Sequence, residues 1–142
     1  MLLPDVNLLV YAHNEAAPGH ARARAWWEGI MNRREPVGLP WAVALGFVRL
    51  VTHPAVLVQP LEPLAALAHV ERWLGQPQVD VLDPGPRHLA ILRDLFAAVG
   101  VAGGLTTDAH LAALAIEHQC ELHSNDTDFA RFPGLRWHDP LV

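Results

Sequence analysis

The stretch from Thr106 to Phe132 (TTDAHLAALAIEHQCELHSNDTDFARF) predicts a helix, a short strand and an acidic turn in direct succession. Leu111 and Leu114 recur at helical spacing, so one face of the helix is expected to be buried. Cys120–Ser124 has the length of a strand between helices. A helix that leads into a short buried strand indicates an α/β architecture, in which ligands bind at the carboxyl edge of the sheet.

Acidic residues lie at both ends of this helix–strand unit. Asp108 falls in the first helical turn, with Thr106 or Thr107 as the N-cap, and the free N–H groups there favour a carboxylate. Asp126 and Asp128 follow the strand. We predict that these two acidic groups converge at the sheet edge. The alternative for each residue is a local role, in which its carboxylate only stabilises the start of a helix or turn.

Asp5 lies inside Leu2–Ala12 (LLPDVNLLVYA), an apolar run with the length and make-up of a buried strand. A buried carboxylate requires a cation, a hydrogen-bond donor or a metal ion. Asn7 lies two residues further on and would point the same way along a strand, which makes it a candidate substrate contact. An acid on a strand, an acid at a helix start and acids after a strand can form an oxygen-rich cage, which suits Mg²⁺ or Mn²⁺.

Strand-like and helical segments alternate along the rest of the chain. The predicted strands are Leu2–Ala12, Val37–Pro40, Gln78–Leu82, Cys120–Ser124 and Leu135–His138. Besides the Asp108 helix, the predicted helices are His20–Asn32, Trp41–Thr52, Pro63–Gly75, Pro86–Val99 and the short Asp128–Phe132. This alternation predicts an α/β fold with a mostly parallel central sheet and helices on both faces. With no internal repeat or long linker, residues 1–142 are expected to form a single domain.

Composition limits the classes of protein that remain. No apolar run reaches the length of a transmembrane helix, so we expect no membrane association. The single cysteine, Cys120, cannot form an intrachain disulfide, and a cytoplasmic location is expected. Nine histidines raise the question of a zinc site, but no tight His/Cys spacing supports one. His123, beside the acidic turn, is the histidine that we would test.

Three segments carry a family resemblance: DVNLLVYA, TDAHLAALA and HSNDTDFARFPGLRW. With them the chain resembles PIN domains, and more closely the toxins of VapC-type toxin–antitoxin pairs. The resemblance implies a three-layer sandwich and an Mg²⁺- or Mn²⁺-dependent endoribonuclease that leaves a 5′-phosphate. It also implies neutralisation by a small antitoxin and a homodimer. Asp5, Asp108 and Asp126 match the catalytic, metal-binding acids of the family, and Asp128 matches a further acidic metal ligand.

One acid of the family pattern is missing from this chain. PIN nucleases usually carry a Glu on the helix after the second strand, but no Asp or Glu occurs between Glu35 and Glu62. Ala44 or a neighbour takes that place. The departure motivates an alternative function, in which the chain is a catalytically impaired PIN-like module that binds RNA or a protein.

The charge of the chain bears on RNA binding. A net charge of −5 runs against a simple nucleic-acid-binding protein. All ten basic residues are Arg, which suits bidentate phosphate contacts, but we attribute the bias to genomic base composition in preference to function. Arg49 is the only charge on an otherwise apolar helix that we expect to be buried. It therefore needs a partner, either a core carboxylate or a substrate phosphate.

Two further alternatives follow from the residues. Asp5 could act as the covalent nucleophile of a phosphohydrolase, but Asn7 stands where a second Asp would support that reaction. Trp26, Trp27 and Trp73 either belong to the core or line an apolar groove that takes an amphipathic helix of the antitoxin.

Overall fold

The computed structural model describes residues 1–100 and 102–142. Its central sheet contains five strands in the order β3-β2-β1-β4-β5, and all neighbouring pairs are parallel. The strands are β1 (Leu2–Pro4), β2 (Val37–Leu39), β3 (Val79–Val81), β4 (Glu121–His123) and β5 (Trp137–His138). The predicted α/β class with a parallel sheet is confirmed.

Six α-helices connect the strands of the described part of the chain. They are α1 (Val6–His13), α2 (His20–Asn32), α3 (Trp41–Val51), α4 (Pro63–Leu74), α5 (His88–Val99) and α6 (Thr106–Glu117). One 3₁₀ segment, Gly103–Leu105, precedes α6, and a second, Thr127–Arg131, follows β4. No helix among the described residues is long and apolar enough to cross a bilayer.

The strand order places helices on both faces of the sheet. The chain moves from β1 through β2 to β3 in one direction and then crosses back to β4 on the other side of β1. Because parallel crossovers are right-handed, opposite directions require opposite faces. The helix contacts agree, since α1 packs against α2 and α3, α3 packs against α4, and α5 packs against α6. The resulting three-layer arrangement is the predicted one.

The first predicted element is wrong beyond Pro4. The apolar run Leu2–Ala12 divides into β1 and α1, with Asp5 at the N-cap position between them. A short apolar run cannot distinguish a buried strand from a buried helix by periodicity, and both parts of this run are buried. Asn7 therefore lies in the first turn of α1, and the argument that it points the same way as Asp5 along a strand fails.

Two smaller predictions are also wrong. Neither Thr106 nor Thr107 is the N-cap of α6, because Leu105 holds that position and Thr106 Oγ1 donates to the Gly103 carbonyl at 2.8 Å. Helix α3 is not buried all round, since one face lies in solvent. Arg49 is exposed on that face and needs no buried partner.

The strand register sets which residues meet at the carboxyl edge. Leu2 pairs with Val37 of β2, and Pro4 pairs with His123 of β4. One residue beyond Pro4, the Asp5 N–H still donates to the His123 carbonyl at 2.9 Å. The strand order changes direction between β1 and β4, and such a switch point opens a crevice at the carboxyl edge of an open α/β sheet. Asp5 lies at that crevice.

Candidate metal centre

Asp5 is held at the sheet edge by its burial and by one strong hydrogen bond. Its side chain is only 4% exposed, and Oδ2 accepts a hydrogen bond from Ser124 Oγ at 2.7 Å. Burial raises the pKa of Asp5, and the Asp126 charge acts in the same direction. The Ser124 hydroxyl and the backbone N–H groups of Val6 and Asn7 favour the ionised form. Burial therefore penalises the charged form of Asp5, and these donors offset part of that penalty.

Ser124 joins the end of β1 to the acidic turn. It is fully buried, and its Oγ also accepts the Asp126 N–H at 2.9 Å. Its carbonyl accepts a hydrogen bond from Trp137 Nε1 at 3.0 Å. The sequence reasoning missed Ser124, although a signal was present. A buried serine at the end of a strand needs a polar partner. The predicted site lies at the same end of that strand, so its acids were the partners to expect.

Asp108, Asp126 and Asp128 form a tight acidic group. Each offers a carboxylate oxygen, and these oxygens lie within 4.8 Å of one another. Asp108 comes from the first turn of α6, as predicted, and is half-buried. The predicted convergence of the acids before and after β4 is therefore present in the structure.

The capping alternative is also correct for part of the acidic turn. Asp126 is the N-cap of the 3₁₀ segment Thr127–Arg131, and its Oδ1 accepts the Asp128 N–H at 2.9 Å. Capping and clustering are compatible, because a carboxylate oxygen can accept a hydrogen bond while the same side chain contributes to the acidic group. The cap keeps Asp126 and Asp128 in one turn, so both carboxylates reach Asp108.

The electrostatics of the group are unfavourable without a cation. Burial raises the pKa of Asp108 to about 6, and the charges of Asp5, Asp126 and Asp128 add to the effect. Within residues 1–100 and 102–142, none of these four acids forms an ion pair with an Arg or a His. Like charges that gather without a protein cation are stabilised by a bound metal ion.

The donor set fits a hard divalent cation. Carboxylate and hydroxyl oxygens are the ligands that Mg²⁺ and Mn²⁺ prefer, whereas zinc sites use Cys and His. In the part of the chain that the structure describes, the Asp108, Asp126 and Asp128 group is the only set of three metal-ligating side chains. No histidine belongs to it, so the zinc interpretation has no site there.

The segment in which the family acid is missing contributes no ligand, because α3 contains no Asp or Glu. Ala44 lies in the second turn of α3, is 1% exposed and packs in the core. The acids of the site therefore come from the end of β1, the start of α6 and the turn after β4, and none comes from α3.

The two tentative substrate contacts have different surroundings. Asn7 is half-buried beside Asp5 in the first turn of α1. Arg49 lies in the last turn of α3, eight residues from the start of that helix, which corresponds to about 12 Å along its axis. The structure therefore keeps Asn7 next to Asp5, where its backbone N–H favours the ionised carboxylate, and leaves Arg49 on the outer surface.

The remaining candidates have packing roles. His123 Nδ1 accepts a hydrogen bond from Trp26 Nε1 at 3.2 Å, and its Nε2 contacts Glu121 Oε1 at 2.8 Å, so its ring faces away from the acids. Trp27 and Trp73 are buried and pack edge to face with ring centroids 5.5 Å apart. These two tryptophans therefore belong to the core, and they also line a groove between α1–α2 and α4.

Comparisons with known proteins agree with this geometry. The PIN domain family model matches residues 2–135. Ribonuclease VapC33 of Mycobacterium tuberculosis is 49% identical over 141 residues, which span 99% of both chains. Ribonuclease VapC37 of the same species is 39% identical over 140 residues, which span 99% of this chain and 97% of the relative. The crystal structure of VapBC2 from Rickettsia felis, bound to a promoter DNA fragment, superposes with a TM-score of 0.70 at 16% identity, covering 97% of each chain. At that identity the superposition shows the fold.

Proposed function

Because this chain belongs to the PIN-domain family and is a homologue of the VapC ribonucleases, we propose that it is a metal-dependent endoribonuclease toxin that hydrolyses RNA phosphodiester bonds. The observation that carries the proposal is the acidic group at the carboxyl edge of the sheet, where Asp108, Asp126 and Asp128 lie within 4.8 Å of one another beside the buried Asp5. Such a group has no cation of its own in the described chain and requires one from outside.

The proposed metal ligands are Asp108, Asp126 and Asp128 together with Asp5, and the proposed ion is Mg²⁺ or Mn²⁺. When bound, such an ion lowers the pKa of a water molecule and neutralises charge on the scissile phosphate. The protein's own task is to keep the four carboxylates in place. Ser124 does this by bonding both the Asp5 carboxylate and the Asp126 backbone N–H, and the Asp126 cap then positions Asp128. No protein nucleophile is needed, so Asp5 acts as a ligand and not as a covalent nucleophile.

Asn7 is the proposed substrate contact beside Asp5, because its half-buried position at the start of α1 borders the acids. Arg49 is proposed to contact a phosphate of the same RNA at a greater distance along α3. Residues 1–142 are proposed to act as a single domain, since all five described strands join one sheet.

The proposed partners are a small antitoxin and a second copy of this chain. The structural neighbour from Rickettsia felis is a VapBC2 complex, which supports a toxin–antitoxin pairing. A groove of about 580 Å³ between α1–α2 and α4 is lined by Trp27 and Trp73 and by charged side chains of both signs, among them Arg72 and the ion pair of Arg24 with Glu28. A groove of this kind suits an amphipathic segment of the antitoxin.

The test is cleavage of a labelled RNA panel by the purified, antitoxin-free protein in Mg²⁺, Mn²⁺ and EDTA. Asp5→Asn serves as the contamination control. We expect cleavage with either metal, none in EDTA and none by the variant. Equal cleavage by Asp5→Asn would contradict the proposal.

The catalytically impaired module is the second candidate, and the absence of an acid from α3 favours it. It predicts no turnover by the folded protein together with weak or absent metal binding. Calorimetric titration with Mn²⁺ separates the two functions. Metal uptake with RNA cleavage supports the nuclease, whereas a folded protein with neither supports the binding module.

A further inference from the structure

One of the five tryptophans is left in solvent. Trp26, Trp27, Trp73 and Trp137 belong to the core or pack against it, and each makes an aromatic contact or a hydrogen bond. Trp41 is 47% exposed, and its ring takes part in none of the aromatic contacts or hydrogen bonds found among the described residues. The intramolecular packing therefore gives no reason for an indole at this position.

Trp41 is placed next to the acidic group by the sheet register. Since Leu2 pairs with Val37 in a parallel ladder, Asp5 is level with Pro40 across the two neighbouring strands, and Trp41 is the next residue. Its helix is held against the start of α1, because a Cβ on Gly46 would lie 3.3 Å from Val6 Cγ2. Trp41 therefore begins α3 at the same sheet edge as the candidate metal centre.

The chemistry of the edge favours an aromatic contact over a cationic one. The acids there repel RNA phosphates, and none of them is paired with an Arg in the described chain. Stacking on an aromatic ring binds a nucleobase without any charge on the protein, and it tolerates every base because each has a π-face. An indole on the rim supplies RNA affinity that a net charge of −5 does not.

We propose that Trp41 is a substrate-binding residue on which an unpaired base beside the scissile phosphate stacks. This inference rests on the proposed ribonuclease function. It implies a substrate whose cleavage site lies in a loop or single strand, because a base inside a helix does not offer its face to a side chain. Arg49 lies on the same exposed side of α3, two helical turns further along, where it contacts a more distant phosphate.

The test uses the RNA of the panel that the wild-type protein cleaves, and versions of it that lack one base at each position next to the cut. Trp41→Ala is expected to raise KM for the intact RNA by about 5- to 100-fold with little change in kcat. Trp41→Phe, which keeps an aromatic face, is expected to restore most of the affinity. We expect one abasic RNA to bind the wild type more weakly than the intact RNA does. The same abasic RNA should bind Trp41→Ala as well as the intact RNA does, because the missing base and the missing indole remove the same stacking contact.

Leu64→Ala, at an 80% exposed apolar residue of α4, is the matched control and should leave KM unchanged.

Three results would overturn the inference. An unchanged KM in Trp41→Ala would rule out the proposed stacking contact, while the proposed nuclease function would stand. Trp41→Ala and Leu45→Ala could both shift the protein from dimer to monomer in sedimentation and lose activity only as monomers. In that case the exposed face of α3 is a protein interface and not a binding surface for RNA. If the wild type cuts no RNA in either metal, the ribonuclease function itself fails and the inference falls with it. Unfolding temperatures of the variants should match the wild type, because the side chains are exposed.

Discussion

Helix α6 carries an acidic residue near each end, and the two have opposite surroundings. Glu117, in the last turn, accepts the Gly85 N–H through Oε1 and the Arg87 N–H through Oε2, both at 2.8 Å. Asp108, in the first turn, accepts no hydrogen bond from the described residues and is surrounded by three other carboxylates. One acid has every donor that it needs within the fold, and the other has only repulsive neighbours.

The pKa values express the same difference. Burial acts to raise the pKa of Glu117, but the hydrogen bonds from Gly85 and Arg87 prevail and hold it below its usual value. At Asp108 burial and the neighbouring charges act together and raise the pKa to about 6. A buried acid satisfied by backbone donors stabilises a fold, whereas an acid without donors indicates a site that a ligand completes.

The largest effect that this comparison predicts is on catalysis. Asp108→Asn is expected to reduce RNA cleavage by more than the roughly 10–100-fold that loss of an outer-shell partner costs, because it removes a proposed metal ligand. Glu117→Gln, at the other end of the same helix, is the matched control and should cleave at close to the wild-type rate. Initial rates in Mg²⁺ measure both. Similar rates for the two variants would mean that the ends of α6 do not differ in function.

Ser124→Ala is expected to have the next largest effect. The change leaves the Asp126 N–H without its acceptor and Asp5 without its side-chain donor, which costs about 1–3 kcal/mol of unfolding free energy. Cleavage should fall by roughly 10–100-fold, because Ser124 positions two proposed ligands. Ser124→Thr keeps the hydroxyl and should retain more activity than the alanine variant. Denaturant unfolding and initial rates test the prediction, and a fully active Ser124→Ala protein would contradict it.

Glu117→Ala tests whether the acid in the last turn of α6 stabilises the fold without contributing to the site. Removing the carboxylate leaves the Gly85 and Arg87 N–H groups without their acceptors, which lowers the free energy of unfolding. Urea unfolding should show this loss, while the cleavage rate below the unfolding transition stays at the wild-type level. A loss of activity without a loss of stability would assign Glu117 to the site.

The smallest predicted effect is a pH dependence of the metal-free protein. The pKa of Asp108 is raised from 3.8 to about 6, so between these pH values the folded state keeps a proton that the unfolded state has lost. Stability in EDTA should therefore fall as pH rises through this window and remain lower above it. Asp108→Asn should lack this fall. The unfolding temperature of the variant, relative to that of the wild type, should therefore rise between pH 4 and 6.5.

Metal provides the control for the pH experiment. Excess Mg²⁺ should raise the unfolding temperature of the wild type at pH 7 and have less effect on Asp108→Asn, because binding to the folded state stabilises it. If EDTA and Mg²⁺ give the same pH profile for the wild type, the proposed ligand role of Asp108 is wrong.

Much of the architecture was determined by local features of the sequence. The spacing of apolar residues predicts α2 at its observed bounds and α3, α4, α5 and the strands β2 to β5 near theirs, because each element buries a periodic face. The acids Asp108, Asp126 and Asp128 were found because they lie at the end of one helix and beyond one strand, and the edge of an α/β sheet brings such positions together.

Other features depended on tertiary contacts. The division of Leu2–Ala12 at Asp5 was decided by packing, since the apolar run suits a buried strand and a buried helix equally. The bond from Ser124 to Asp5 joins residues far apart in sequence, and no local pattern encodes it. The exposure of Trp41 and Arg49 follows from which side of α3 faces the core, and an almost uniformly apolar helix carries little information about that orientation. Local sequence thus specified the elements and the acids, whereas the pairing of distant side chains was settled only when the sheet assembled.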